Sequence, residues 1–140
     1  MLAAITAESG GDVIFPVTDE RQSIVGVWND TDLVMEEYMQ YDPDGRVRIR
    51  AVDDAVLCDE REFSGQDCFS EALPRFAFTG AYRSQITGLH RFGARWYSTQ
   101  AGQFTAPDPL WFVDSPDLYG YVGFDPVNYW DPLGISLHHR

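Results

Sequence analysis

A chain of 140 residues is long enough for one domain with its own core, and with 44% hydrophobic and 14% aromatic residues it does not read as disordered. Twenty-two acidic residues against ten basic ones give a formal charge of -12, and every base is an arginine. Phosphate binding needs a cationic field, so no nucleic-acid partner is expected, and an anionic membrane surface is disfavoured on the same ground.

No stretch approaches the roughly 20 apolar residues of a membrane helix, so no membrane-spanning segment is expected. The start, Met1-Leu-Ala-Ala-Ile-Thr-Ala-Glu8, has a short apolar run without a basic leader and makes a poor signal peptide. Cys58 and Cys68 are too few for a disulfide framework, and with three histidines elsewhere they do not form a zinc pattern. Two states stay open for them: a bridge worth roughly 2–3 kcal/mol, or two free thiols in a reducing compartment. No metal and no cofactor are expected.

In chain order, Ser23-Ile-Val-Gly-Val-Trp28 is apolar and β-prone, and Asn29-Asp-Thr-Asp32 is turn chemistry. Leu33-Val-Met-Glu-Glu-Tyr-Met-Gln40 then reads as the second arm of a hairpin, closed by Tyr41-Asp-Pro-Asp-Gly-Arg46. Val47-Arg-Ile-Arg-Ala-Val52 alternates apolar and charged residues, the period of a half-buried strand. Asp53 to Leu73 carries seven acids and both cysteines and reads as an irregular surface insertion. Arg75 to Thr79 is expected to pair with one strand over Leu89 to Tyr97. The last forty residues, rich in proline and in aromatics from Trp111 to Trp130, predict a compact, turn-rich cap that buries aromatic area. At most one short helix is expected there, near Asp117 to Val122. His138 and His139 read as a frayed tail. Asp42-Pro-Asp-Gly45 with Asp30 and Asp32 lacks the later bidentate glutamate of a calcium loop and reads as an ordinary turn.

Tyr41-Asp42-Pro-Asp-Gly-Arg46 resembles the tyrosine–aspartate unit of YD-repeat (Rhs) proteins. Thr18-Asp19, Ser23 to Trp28 and Glu36-Glu-Tyr38 resemble the rest of one repeat. Phe78-Thr-Gly80, Thr87-Gly-Leu89, Gly93-Ala-Arg95 and Trp96-Tyr97 resemble the start of the Rhs core-associated domain. Gly102-Gln-Phe104, Pro107-Asp-Pro109 and Leu118-Tyr-Gly-Tyr-Val-Gly123 continue it in the same order. Pro126-Val-Asn-Tyr-Trp-Asp131-Pro132-Leu-Gly134 matches the closing motif PxxxxDPxG. The first of the two DPxG-like elements reads Asp108-Pro-Leu-Trp111, with tryptophan where the family has glycine.

The resemblance implies a mainly β chain: antiparallel hairpins followed by a turn-rich, aromatic plug of a larger shell, similar also to the C subunits of insecticidal toxin complexes. It divides the chain into an N-terminal tail (1–12), YD-repeat-like hairpins (13–52), an acidic insertion (53–74), the core-associated domain (75–134) and a C-terminal tail (135–140). On this reading the chain is a structural segment of a polymorphic-toxin type protein, a fragment or a standalone remnant. Its partner is the remainder of that shell or another copy of itself, because a piece of a spiral sheet leaves open edges. A toxin or immunity partner is not identified. The family also implies a bacterial, secreted or cell-surface setting. The second implied function is an aspartyl autoprotease with Asp108 and Asp131 as its carboxylates, cutting near Ile135–Ser136, with Trp111 and Trp130 screening the site from solvent. Both aspartates read equally as turn caps, since aspartate before proline is common in turns.

Overall fold

The computed structural model describes residues 5–6, 12–62, 67–71, 75–113 and 115–139. Six strands run as an antiparallel meander in sequence order: β1 (Ile5–Thr6), β2 (Val13–Thr18), β3 (Ile24–Asn29), β4 (Val34–Tyr41), β5 (Val47–Ala51) and β6 (Val56–Asp59). A second, four-stranded sheet is built from β7 (Tyr82–Arg83), β8 (His90–Phe92), β9 (Arg95–Ser98) and β10 (Gln103–Phe104), in the order β10-β9-β8-β7. β11 (Tyr129–Trp130) pairs with β12 (His138–His139). The fold is mainly antiparallel β, as the turn spacing and alternation predict.

Each sheet buries one face. Ile14, Ile24, Val27, Met39, Val47, Ile49 and Cys68 form the core of the first. Phe78, Phe92, Tyr97, Phe104 and Tyr121 form the aromatic core of the second. The expected hairpin of residues 23–28 with 33–40 is present as β3 and β4, and Asn29 Oδ1 caps its turn by accepting the Thr31 and Asp32 N–H groups.

The Tyr41-Asp42 pair has two separate jobs. The Tyr41 hydroxyl donates to the Ile24 carbonyl at 2.8 Å, tying β4 to β3's start. Asp42 Oδ1 accepts the N–H groups of Asp44 and Arg46, each at 3.0 Å, and so shapes the turn into β5. Gly45 in that turn has φ +92, and a Cβ there would stand 2.5 Å from the Phe78 ring. Only glycine supplies both that backbone and that approach. Tyr97 completes the junction, its hydroxyl donating to the Asp44 carbonyl at 2.7 Å. The YD turn is where the first sheet docks on the aromatic core of the second.

Several local expectations are corrected. Residues 89–97 are a hairpin, not one strand: Gly93 and Ala94 make a two-residue turn and Phe92 pairs with Arg95. Residues 75–79 do not form its partner arm. Phe76 makes a single bridge to Tyr82, and Phe78–Gly80 is a 3-10 turn, because Thr79 and Gly80 both take positive φ and end the extended run. The acidic segment is not wholly irregular, since Val56–Asp59 pairs with β5 and both Asp59 and Glu60 are buried. Cys58 and Cys68 are bridged, with Cα atoms 5.7 Å apart. The short helical turns of the cap fall at Trp111–Val113 and Val122–Phe124 rather than across 117–122. Tyr121 is buried there, but Trp111, Phe112 and Phe124 are exposed. His138 and His139 are not frayed but form β12, His139 lying edge-on to Tyr129 at 5.2 Å between ring centroids.

Candidate active site

β9 presents Arg95 and Tyr97 to the buried face, and Arg95 is only 3% exposed. A guanidinium taken out of water needs acceptors for its donors. Here Nε donates to the Gly134 carbonyl at 2.5 Å, and Nη1 donates to the Leu118 carbonyl at 3.3 Å. Nη2 meets two carboxylates, Asp108 Oδ2 at 2.8 Å and Asp131 Oδ2 at 3.1 Å. Its planar face lies over the Phe104 ring, 3.6 Å from the centroid. Because both carboxylates bond the same nitrogen, their Oδ2 atoms lie within about 6 Å of each other, close enough to influence one another's ionisation.

Asp131 is 3% exposed. Its Oδ1 accepts the N–H groups of Ile135 at 3.1 Å and Ser136 at 3.2 Å. Burial pushes its carboxyl above the ordinary range, against the pull of those two amides and of Arg95. Asp108 sits in a tighter turn, where its Oδ1 accepts the Leu110 N–H at 2.8 Å and its carbonyl accepts the Trp111 N–H at 3.0 Å. Both aspartates therefore cap turns and also face one shared cation.

The closing motif is clamped onto the β8–β9 turn. The Ala94 N–H donates to the Leu133 carbonyl at 2.9 Å. Gly134 has φ +64, and a Cβ on it would stand 2.2 Å from the Phe92 carbonyl oxygen, so no other residue fits. Pro126 is buried and Pro132 exposed. A cavity of about 230 Å³, lined in part by Tyr121, Trp130, Asp131 and Pro132, lies beside the motif. The structure thus gathers Asp108, Asp131, Gly134, Ile135 and Ser136 around Arg95. Among the described residues, no group of three His, Cys, Asp or Glu side chains is placed to hold a metal ion. No helix among them is long and apolar enough to cross a membrane.

Two residues depart from the sequence reading. Arg95 reads in the sequence only as part of the Gly93-Ala-Arg95 motif, although an arginine on the apolar face of an alternating strand signals buried carboxylate partners. Trp111 does not screen the site: it is 67% exposed. It does adopt the glycine-like backbone, at φ +57, which a bulky residue holds only under strain. Trp111→Gly is expected to stabilise the fold by about 1 kcal/mol, relief of strain outweighing glycine's greater freedom when unfolded. An unchanged or lower urea midpoint would sink that expectation.

No protein-family model matches the chain. The toxin protein Tse5 of Pseudomonas aeruginosa is 32% identical over 60 residues, which is 43% of this chain and 5% of that protein. The crystal structure of TcdB2-TccC3 superposes with a TM-score of 0.65 at 20% identity, over 96% of this chain and 7% of that one. A Photorhabdus luminescens Tc holotoxin pore carrying a TccC3 mutation gives 0.65 at 18% identity, over 98% of this chain and 6% of that one. The chain thus spans about a twentieth of the curated relative it matches and little more of the structural ones. The chain resembles a toxin protein in sequence over less than half of its length, and it has the fold of a short stretch of TcdB2-TccC3.

Proposed function

We propose that this chain is a structural segment of an Rhs-type toxin shell, its six-stranded meander contributing wall and its aromatic second sheet contributing plug. The observation that carries this reading is one of coverage: nearly the whole chain matches a small part of a much larger assembly protein. The proposed partner is the rest of such a shell, or a second copy, received along the open edges of the sheets. The same reading places the boundaries of hairpins, insertion, core-associated domain and tail at 13–52, 53–74, 75–134 and 135–140, in a bacterial protein that is secreted or displayed.

One specific observation favours a second reading, self-cleavage at Ile135–Ser136. Asp131 Oδ1 lies at hydrogen-bond distance from the nitrogen of that bond, and Asp108 meets the same Arg95 nitrogen as Asp131. In this reading Asp108 takes a proton from water as its oxygen attacks the Ile135 carbonyl. Burial enlarges the fraction of Asp131 that carries a proton, and in that form it gives the proton to the Ser136 nitrogen as the C–N bond breaks.

Intact mass separates the two. A purely structural segment is expected to keep its full 15.9 kDa on prolonged incubation. A self-cleaving one is expected to lose the peptide Ser136–Arg140, with Asp131→Asn and Asp108→Asn each abolishing the loss. Cleavage that persists in both variants would rule out the carboxylate pair.

A further inference from the structure

The acidic segment between β6 and β7 holds a buried ion-pair cluster with Arg83 of β7, set at the margin of the first sheet's core. Arg83 of β7 is 2% exposed and spends its donors on one small cluster. Nη2 donates to Glu60 Oε1 at 2.5 Å, Nη1 to the Cys68 carbonyl at 2.5 Å, and Nε to the Gly88 carbonyl at 3.1 Å. Glu60 is fully buried too, and accepts the Cys68 N–H at 2.8 Å and the Val47 N–H at 3.0 Å. Cys68 is therefore bonded through its backbone to both members of a buried ion pair. Through its sulfur it is bonded to Cys58 on β6, the last strand of the first sheet. The disulfide closes a covalent loop, and Glu60 and Cys68 within it join the first sheet to Arg83 of the second.

A second junction between the sheets lies away from this loop. The Ile24 N–H donates to the Ala77 carbonyl, the Thr79 N–H donates to Ser23 Oγ, and Tyr97 donates to Asp44. None of these bonds uses the loop. Among the described residues the sheets are thus also joined away from the loop, by contacts that the disulfide does not condition.

We propose that the Cys58–Cys68 disulfide is a redox latch on the junction between the two sheets. A dithiol reductant attacks the sulfur of Cys58, which is the less buried of the pair. Two successive exchanges give two cysteine thiols on the protein and one disulfide on the reductant, so two electrons and two protons are transferred in balance. Once the loop is open, the 67–71 segment no longer has its covalent hold on β6. The Glu60–Arg83 pair loses the backbone that orders it, and two charges buried without an enclosing frame draw in water. The sheets stay attached through the Tyr97–Asp44 junction and part at the Arg83 end. In an oxidising compartment the segment is rigid, and in a thiol-rich one it is hinged.

The test is hydrogen exchange by mass spectrometry on the whole chain, oxidised and after treatment with dithiothreitol, with thiol counts taken on each. The oxidised protein is expected to show no titratable thiol after denaturation, and the reduced one to show both. Reduction is expected to speed exchange about tenfold or more over residues 59–62, 67–71 and 82–90, while residues 24–41 keep their protection. The Cys58→Ser/Cys68→Ser double variant should match the reduced protein and ignore the reductant; should that variant fail to fold, the reduced natural chain decides alone. Equal protection in the two states would overturn the latch. So would a uniform loss across both sheets, which would make the bridge a global staple, or two free thiols in the oxidised protein.

Discussion

Replacing Arg95 by methionine is expected to destabilise the fold by about 3–5 kcal/mol, read as a lowered urea midpoint at unchanged slope. The size follows from what is left behind. Asp131, two backbone carbonyls and the partly buried Asp108 all lose their donor at once, in a place that water reaches poorly. A buried charge without its partner costs far more than the pair itself contributes. Asp131 can retreat to its neutral form, toward which burial already pushes it, so the deficit should shrink as the pH falls. Arg95→Lys should recover little, because an ammonium is a point charge and cannot reach four acceptors spread around a planar fork. A loss below about 1 kcal/mol, the value of an exposed ion pair, would show that the site is not organised by this residue.

Acid should unfold the chain through His90. Its ring is 1% exposed, lies edge-on to Phe78 and has both nitrogens buried with no hydrogen-bond partner among the described residues. Burial, aided by the nearby Arg83 charge, lowers its pKa from 6.5 to about 3. A lowered value means that the unfolded chain takes up the proton first. The stability it permits is complete above pH 6.5 and is lost progressively as the pH falls toward 3. The full span is on the order of 5 kcal/mol. Asp131 acts in the opposite sense, since its raised carboxyl gains a proton in the folded state first and so offsets part of the loss. His90→Met, apolar and of similar size, is expected to flatten the dependence of the unfolding midpoint between pH 6.5 and 4 while leaving that near pH 8 close to the natural value. Identical slopes in the two proteins would remove His90 as the cause.

The legible parts of the chain were those governed by neighbours in sequence. The β3–β4 hairpin, the Asp42 turn and the alternation of β5 follow from residues a few positions apart. Asp108 and Asp131 were found because each sits in a proline turn with a recognisable motif around it. What could not be read was set by contacts across the fold. The split of residues 89–97 depends on Leu133 docking against the turn at Ala94. The strand Val56–Asp59 depends on β5 offering an edge to a segment whose acids read as surface. Glu60 reads as one acid of a surface insertion because its partner, Arg83, stands on the other sheet. Arg95 was hidden for the same reason, its meaning residing in Asp131.

That separation between Arg95 and Asp131, 36 residues along the chain, also imposes an order in time. Strands β1 to β6 pair only with their sequence neighbours, so the meander can form while the chain is still being made. The guanidinium has no such liberty. Until the ribosome has delivered the segment through Ser136, Arg95 lacks Asp131 and Gly134, and the turn that presents it lacks Leu133. The constellation around the closing motif therefore cannot assemble on a partial chain: completion of synthesis through that motif is built into its geometry as a precondition.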